Sequence, residues 1–246
     1  MWMVALTLSL GTARAKTLTQ VTKAKTLRVA TEGTFPPFNF YRGKTLTGFE
    51  VELVEMLSAD LGLKTDWKVA GFDTLLIGLS QDRFDLVASS HGITAERAKV
   101  VNFSSPHYCT GGVIVSKSDK VKTFASIKKR NVVVQVGTTY YTWLGKNGLY
   151  KAKTYPKDTD CLQNLLMGRA DAWVTDRFVA LDAIKANPDA KLVMGDTIFE
   201  EQIAMAVAKG NTELLNAVND ALEKIKTDGR YETLSRKYFA KNIGCK

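Results

Sequence analysis

The chain has 246 residues, of which 45% are hydrophobic and 24% charged, and its formal net charge is +9. This is an ordinary globular composition without low-complexity tracts, heptads or solenoid repeats, and the length suits one large domain or two lobes. The lysines are spread along the chain, and no basic-aromatic stripe, helix-turn-helix or RNA-binding signature is present, so we expect no nucleic-acid partner.

The first fifteen residues differ in character from the rest. Residues 1–10 are apolar, and Ala13-Arg14-Ala15 has the small-x-small form of a signal-peptidase site. The usual positively charged start is missing, and the apolar run is far too short to span a bilayer, which disfavours a membrane anchor. We predict a signal peptide over residues 1–15, with its start truncated or misassigned, and an exported protein, periplasmic or otherwise extracytoplasmic.

Three cysteines bear on that prediction, namely Cys109, Cys161 and Cys245. In an exported protein we expect one disulfide and one cysteine left over, and the sequence leaves the pairing open. His91, His107 and Cys109 lack the spacing of a metal-ligand motif, so we predict no metal site.

Strands and helices alternate through the first hundred residues. Hydrophobic periodicity predicts strands at 26–30, 65–69 and 86–88 and helices at 49–61 and 72–81. Such alternation favours a mostly parallel sheet with helices on its faces, which is an α/β fold.

The alternation restarts after an extended run at 108–115. The pattern predicts strands at 132–136, 151–155 and 172–175, helices at 139–146, 160–167, 177–186, 212–227 and 230–240, and a second extended run at 203–208. Two α/β units joined by two extended crossings predict two lobes with a hinge, residues 24–110 with 206–246 and residues 111–205. A ligand would lie in the cleft between them, at the carboxyl ends of the strands.

The loop after the strand at 86–88 carries an anion-binding pattern. Thr94 suits the N-cap of a short helix, and Arg97 follows three residues later on the same face. The arginine can reach back over the helix N-terminus and hold a carboxylate with two parallel bonds. An ordinary capped helix with a solvated arginine is the alternative.

Three more strand-end loops carry polar groups. Glu32 follows the first strand, Thr138 and Thr139 follow a glycine at a helix start, and Asp176 follows the strand at 172–175. Arginine and helix N-termini would hold a carboxylate, and an aspartate opposite would hold an ammonium. A zwitterion satisfies both ends.

At this point the sequence closely resembles the solute-binding proteins of polar amino-acid ABC transporters. The resemblance runs from residue 25 to the C-terminus and is carried by ATE at 30–32, FPPF at 35–38, GFEVEL at 48–53, FDTLL at 72–76, ITxxR at 93–97, VxFSxPxY at 101–108, GTT at 137–139, GRADA at 168–172 and the aspartate at 176. It implies the two-lobed type II periplasmic-binding-protein fold with two hinge-crossing strands, no cofactor, ligand capture by lobe closure and an ABC permease as partner.

Carried over by position, the resemblance assigns both ends of an amino acid. It implies that Arg97 clamps the carboxylate, helped by backbone N–H groups at Thr94 and Thr139. It implies that Asp176 and the carbonyl of Ser90 accept from the α-ammonium.

The resemblance also assigns a side-chain pocket. Phe35 and Phe72 would form its walls, although plain core packing is an equal alternative for Phe72. Glu32 would lie at its polar end, with a solvated loop charge as the alternative. Two residues depart from the family pattern: Gly92 stands where many members have a Ser or Thr that also receives the ammonium, and His91 stands where an apolar residue is usual.

The function expected from these residues is that of a monomeric, non-enzymatic binding protein. Glu32 would favour an amino acid with a cationic or amide side chain: arginine, lysine, histidine or glutamine. The alternative is a dehydratase of the cyclohexadienyl dehydratase type on the same fold. That branch shares the fold, and the resemblance implies a catalytic glutamate three residues after the position of Asp176, where this chain has Val179.

Overall fold

The computed structural model describes residues 16–245, so the signal peptide predicted at 1–15 lies outside the described residues. The strands are β1 (Thr26–Thr31), β2 (Thr34–Phe35), β3 (Asn39–Arg42), β4 (Thr45–Thr47), β5 (Lys64–Val69), β6 (Leu86–Val87), β7 (Val101–Phe103), β8 (Tyr108–Ser116), β9 (Val132–Gln135), β10 (Lys153–Tyr155), β11 (Ala172–Asp176), β12 (Val193–Ile203) and β13 (Ala206–Ala208). The α-helices are α1 (Leu18–Ala24), α2 (Phe49–Asp60), α3 (Phe72–Ser80), α4 (Ala95–Ala98), α5 (Phe124–Ile127), α6 (Thr139–Lys146), α7 (Asp158–Leu166), α8 (Arg177–Ala186), α9 (Thr212–Thr227) and α10 (Arg230–Phe239).

The first large sheet has the strand order β5-β1-β6-β13-β7. Its strands β5, β1 and β6 are parallel, whereas β13 is antiparallel to both β6 and β7. Leu27 and Val29 of β1 pack in one core with Phe49, Leu53 and Leu57 of α2. Because parallel strands end at the same edge, the loops after β1 and β6 lie side by side.

The second large sheet has the order β10-β9-β11-β8-β12. Its strands β10, β9 and β11 are parallel, and β8 runs antiparallel to β11 and β12. The loops after β9 and β11 begin the helices α6 and α8, so the helix N-termini gather at one edge of this sheet.

The chain crosses between the two sheets on adjacent segments. Strand β8 runs into the second sheet from Tyr108, and β12 pairs with it in antiparallel register from Val193↔Ser116 to Ile203↔Tyr108. The second crossing was predicted at 203–208, but the extended chain already begins at Val193. The miss has a physical reason: β12 is a half-exposed edge strand rich in polar residues, so its sequence lacks the apolar pattern of a buried strand.

Most predicted elements are present within a few residues of their predicted limits, and α6, α8 and α9 match them. The short helix predicted after Thr94 is present as α4. The small sheet β2-β3-β4, strand β7 and the helices α1 and α5 are short elements that hydrophobic periodicity did not predict. Cys109 and Cys245 form the expected disulfide, and the cysteine left over, Cys161, is buried. Among residues 16–245, no helix is both long and apolar enough to cross a membrane.

Candidate functional site

Arg97 connects the loops at the ends of the two sheets. Thr94 is the N-cap of α4, and its hydroxyl accepts from the backbone N–H of Arg97 at 3.2 Å. The guanidinium donates to the carbonyl of Gly92 at 2.7 Å and to the carbonyl of Gly137 at 2.9 Å. The contact with Gly92, which precedes α4, shows that the side chain leans back over the helix start. Because Gly92 follows β6 of the first sheet and Gly137 follows β9 of the second, the guanidinium also bridges the two sheets. Burial lowers the pKa of Arg97, and the nearby Glu201 carboxylate opposes that effect.

The Ser90 backbone is held from behind by a fully buried carboxylate. Ser90 adopts the left-handed conformation, with φ of 53°, which non-glycine residues rarely occupy. Glu50 accepts from its N–H at 2.8 Å and its hydroxyl at 2.9 Å, and also from Asn39 Nδ2 at 2.8 Å. Nε2 of His107 lies 2.9 Å from the same carboxylate, which can only accept. Glu50 therefore fixes the direction of the carbonyl that was assigned to the ammonium.

The loop around Gly92 lies directly against the end of β12. Ile93 N–H donates to the carbonyl of Gln202 at 2.9 Å, and Ala204 N–H donates to the carbonyl of His91 at 3.1 Å. This pairing brings Glu201 to Gly92, and Oε2 of Glu201 accepts from the Thr139 hydroxyl at 2.8 Å. Burial raises the pKa of Glu201. A carboxylate that the sequence analysis did not single out thus lies among the predicted site residues.

Asp176 lies at the end of β11 and is fully buried. It is the N-cap of α8, and its Oδ1 accepts from the backbone N–H groups of Phe178 at 2.6 Å and Val179 at 3.2 Å. Oδ2 has no hydrogen-bond partner within residues 16–245. Burial raises the pKa of Asp176 to about 7, and the charge of Glu201 adds to the rise.

Glu32 joins the loop after β1 to the end of β9. Its Oε1 accepts from Gln135 Nε2 at 2.7 Å and from the Thr34 hydroxyl at 2.7 Å. Only 5% of the residue is exposed, and burial raises its pKa to about 7. Glu32 is therefore not a solvated loop charge.

One small cavity gathers most of the predicted residues. Its lining is Glu32, Phe35, Phe72, Ser89, Ser90, Arg97, Gln135, Thr138 and Thr139. Its volume is about 10 Å³, the space of a single water molecule. An amino acid fits there only when the two walls move apart.

A second, larger cavity of about 840 Å³ adjoins the first across Arg97 and Thr139. Thr94 and Glu201 lie in its wall. Exposed residues such as Glu96 and Lys146 also line this second cavity, so it opens to solvent on the side of Arg97 that faces away from the small cavity. Gly92 and Asp176 are the two predicted site residues that line neither cavity.

The aromatic residues of the site pack as a layer next to Arg97. The ring of Phe72 stacks on His91 with centroids 4.3 Å apart, and the Arg97 guanidinium carbon lies 5.7 Å from the centre of the Phe72 ring. Burial, together with the charge of Arg97, holds the pKa of His91 well below its usual range, so the imidazole is neutral. His91 therefore packs sideways in the first sheet's core and supports a wall of the cavity.

Three contributing residues were missed as site residues. Gln135 lies at the end of the strand predicted at 132–136, beside the loop with Thr138 and Thr139, and Glu50 lies in the GFEVEL motif at 48–53, so signals for both existed. Glu201 carried none, since a glutamate on a polar edge strand looks like a solvated charge.

Comparison with known proteins gives one consistent family. Residues 27–241 match the family described as bacterial extracellular solute-binding proteins, family 3. The L-cystine-binding protein TcyJ of Escherichia coli (strain K12) is 38% identical over 233 residues, which cover 92% of this chain and 87% of TcyJ.

Two solved structures extend the comparison to the fold. An ancestral arginine-binding protein bound to arginine is 38% identical, with a TM-score of 0.84 over 87% of this chain and 98% of that one. The ancestral amino acid-binding protein AncCDT-1, a precursor of cyclohexadienyl dehydratase, is 36% identical, with a TM-score of 0.84 over 90% of this chain and 99% of that one.

Proposed function

This chain belongs to the bacterial extracellular solute-binding proteins, family 3, and we propose that it captures one polar amino acid between Arg97 and Asp176. The predicted type II periplasmic-binding-protein fold and the expected class, an amino-acid-binding protein of an ABC transporter, are confirmed. The ligand, its contacts and the lobe limits are our proposal.

The observation that carries the proposal is the opposition of charges at the sheet ends. Arg97 reaches the carbonyls of Gly92 and Gly137, while Asp176 presents a buried oxygen without a donor within the described chain. A ligand carboxylate would replace the two carbonyls as the acceptor for Arg97, because a charged partner binds a guanidinium more strongly than a neutral one. A ligand ammonium would supply the donor that Asp176 lacks.

The side-chain pocket supports a cationic or amide side chain. Phe35 and Phe72 are its apolar walls, and Glu32 closes it as an acceptor. Arginine, lysine, histidine and glutamine fit this chemistry. The relative TcyJ is named for binding cystine. Cystine carries a second ammonium from which Glu32 could accept a hydrogen bond, so it belongs in the same test.

Closure of two lobes would couple binding to recognition by the permease. We place the lobes at residues 24–110 with 206–246 and at 111–205, because these limits assign every strand to the lobe of its own sheet except the first three residues of β8, where the chain crosses. A zwitterion that contacts Arg97 from one lobe and Asp176 from the other stabilises the closed form more than the open one. The protein would act as an extracytoplasmic monomer.

We propose binding without chemical turnover. In the dehydratase alternative the catalytic glutamate would stand at Val179, which is buried and donates its N–H to Asp176. A valine carries no proton to deliver, so the acid of that reaction is missing at this position.

The test is a thermal-shift screen of all amino acids, followed by calorimetry on those that bind. Wild-type protein should bind at least one of arginine, lysine, histidine, glutamine or cystine. Arg97→Ala should weaken binding at least about 100-fold, because the ligand carboxylate then loses its charged partner. Arg83→Ala is the matched control, since Arg83 is exposed at the opposite end of β6. Unchanged binding by Arg97→Ala, or no binding by the wild type, contradicts the proposal.

A further inference from the structure

The space beside Gly92 is filled by a carboxylate from another strand. A Cβ built on Gly92 would lie 2.1 Å from Oε2 of Glu201 and 3.1 Å from the Thr139 methyl carbon. Real Cβ atoms essentially never approach another atom as closely as the first of these distances. Any side chain at residue 92 would therefore displace Glu201, which makes the glycine and the glutamate a matched pair.

Glu201 has one oxygen engaged and one left over. Oε2 accepts from the Thr139 hydroxyl, whereas Oε1 is buried and makes no hydrogen bond among residues 16–245, with the Tyr140 hydroxyl beside this carboxylate. Oδ2 of Asp176 likewise makes no hydrogen bond among these residues, with the Thr110 hydroxyl beside it. Of the eight buried side-chain polar atoms without a hydrogen bond in the described residues, these are the two carboxylate oxygens, and such oxygens are costly to bury, so their nearness points to a cationic donor that arrives from outside the chain.

The charges around these two oxygens favour a cation. The charge of Glu201 is felt at Asp176, whose pKa it helps to raise, and at Arg97. Burial and, next, the charge of Glu201 raise the pKa of Tyr140, whose hydroxyl lies beside that carboxylate. The fully buried carboxylate of Asp176 and the half-buried one of Glu201 therefore repel each other when both are ionised, and a cation between them would relieve that repulsion.

We propose that Glu201 is a second carboxylate for the α-ammonium of the ligand, acting with Asp176 in the space that glycine leaves at residue 92. An ammonium has three N–H donors, and Asp176, Glu201 and the Ser90 carbonyl would give it three acceptors. The α-carboxylate and the α-ammonium of an amino acid are attached to the same carbon atom. The protein donor that binds the carboxylate and the protein acceptor that binds the ammonium must therefore be neighbours, as Arg97 and Glu201 are. The inference rests on the proposed function, because it requires an amino-acid ligand.

The first experiment is calorimetry of Glu201→Gln with L-arginine, L-glutamine and L-cystine. All three carry an α-ammonium, and lysine or histidine takes their place if the wild-type protein binds one of those instead. Glutamine at 201 keeps an oxygen that accepts from Thr139 but loses the charge. We expect binding about 10-fold to 100-fold weaker for whichever amino acid the wild type binds. Glu213→Gln, an exposed change on α9, should stay within about twofold of wild type.

The second experiment separates ligand contact from support of the fold. If Glu201 waits for a cation, neutralising it should leave the thermal midpoint of the ligand-free protein unchanged or raise it, because a buried charge is removed. A purely structural glutamate would lower that midpoint instead. Binding by Glu201→Gln within twofold of wild type overturns the inference and leaves the proposed function intact.

The third experiment uses the matched pair itself. Gly92→Ser alone should weaken binding at least about 10-fold, because its Cβ collides with Glu201. In Gly92→Ser with Glu201→Ala, the serine hydroxyl takes the vacated space as an acceptor, so binding should be tighter than in Gly92→Ser alone. Additive losses contradict the pairing. A wild type that binds no amino acid contradicts the proposed function instead, so the two failures are distinct.

Discussion

Glu50 and Glu201 lie on either side of the loop at Ser90 and Gly92, and they differ in how fully their oxygens are used. Glu50 accepts from the Ser90 N–H, the Ser90 hydroxyl and Asn39, and His107 lies 2.9 Å away. Glu201 accepts from Thr139 through one oxygen, and its other oxygen has no donor in the described chain.

This difference separates a structural carboxylate from a binding one. Glu50 is fully buried, and Glu201 is half-buried with its Oε1 atom shielded from water, so the use of the oxygens distinguishes the two residues more sharply than burial does. A buried carboxylate whose oxygens are saturated is already stabilised by the fold and has nothing left to offer a ligand. One with an unused oxygen carries an energetic penalty that a ligand cation can remove.

The largest expected effect is a loss of stability when Glu50, the carboxylate with fully hydrogen-bonded oxygens, is removed. Glu50→Ala removes the acceptor for donors of Ser90, Asn39 and His107 and leaves them buried without partners. We expect the free energy of unfolding to fall by about 3–5 kcal/mol, as when one partner of a buried polar network is removed.

Chemical denaturation measures this loss, with the exposed change Glu213→Ala as the control expected within about 0.5 kcal/mol. Glu50→Gln, which keeps one acceptor oxygen, should fall between the two. A loss below about 1 kcal/mol for Glu50→Ala would show that this network does not hold the loop.

On the unsaturated side, Asp176→Asn should act on affinity rather than on stability. Asparagine caps a helix as well as aspartate does, so α8 keeps its N-cap. The ligand ammonium loses a charged acceptor, and we expect binding about 100-fold weaker by calorimetry. If Asp176→Asn instead lowered the stability and left the affinity unchanged, Asp176 would be a structural carboxylate like Glu50.

The pH dependence sharpens the same contrast. Asp176 and Glu32 have pKa values of about 7 in the fold against about 4 in an unfolded chain. The native state therefore binds more protons between about pH 4 and pH 7, and the stability of the ligand-free protein should fall as pH rises through that window.

Ligand affinity should change in the opposite direction. An ammonium binds the ionised carboxylates, so affinity should rise about tenfold from pH 6 to pH 8 and binding should release protons. Asp176 faces Glu201 and Tyr108, and Glu201 faces Arg97 and Tyr140; burial raises the pKa values of both carboxyl groups and of both tyrosines. Calorimetry in buffers of different ionisation enthalpy counts the protons. Affinity that is flat over this range would show that neither carboxylate changes its protonation on binding.

The fold and the helix start at Thr94 and Arg97 could be predicted from the sequence, for physical reasons. Amphipathic helices such as α6, α8 and α9 and the buried strands of both sheets leave clear periodic patterns. Thr94 and Arg97 are local to one helix start, so their geometry follows from spacing alone.

The contacts that the sequence could not supply are long-range. Glu201 reaches Gly92 because β12 pairs beside the loop at residues 91–93, more than a hundred positions away. The contact through which a side chain at 92 would displace the Glu201 carboxylate exists only once that pairing is formed. The glycine therefore looked like a missing acceptor, whereas the structure places a carboxylate in the same space.

The measurement that tests recognition of a zwitterion most directly compares three ligands on the wild-type protein by calorimetry. L-arginine carries both charged ends, agmatine lacks the carboxylate, and 5-guanidinopentanoate lacks the α-ammonium. Opposed clamps at Arg97 and at Asp176 with Glu201 predict that each truncated compound binds at least about 100-fold more weakly than arginine. Binding of either compound within about threefold of arginine would contradict them.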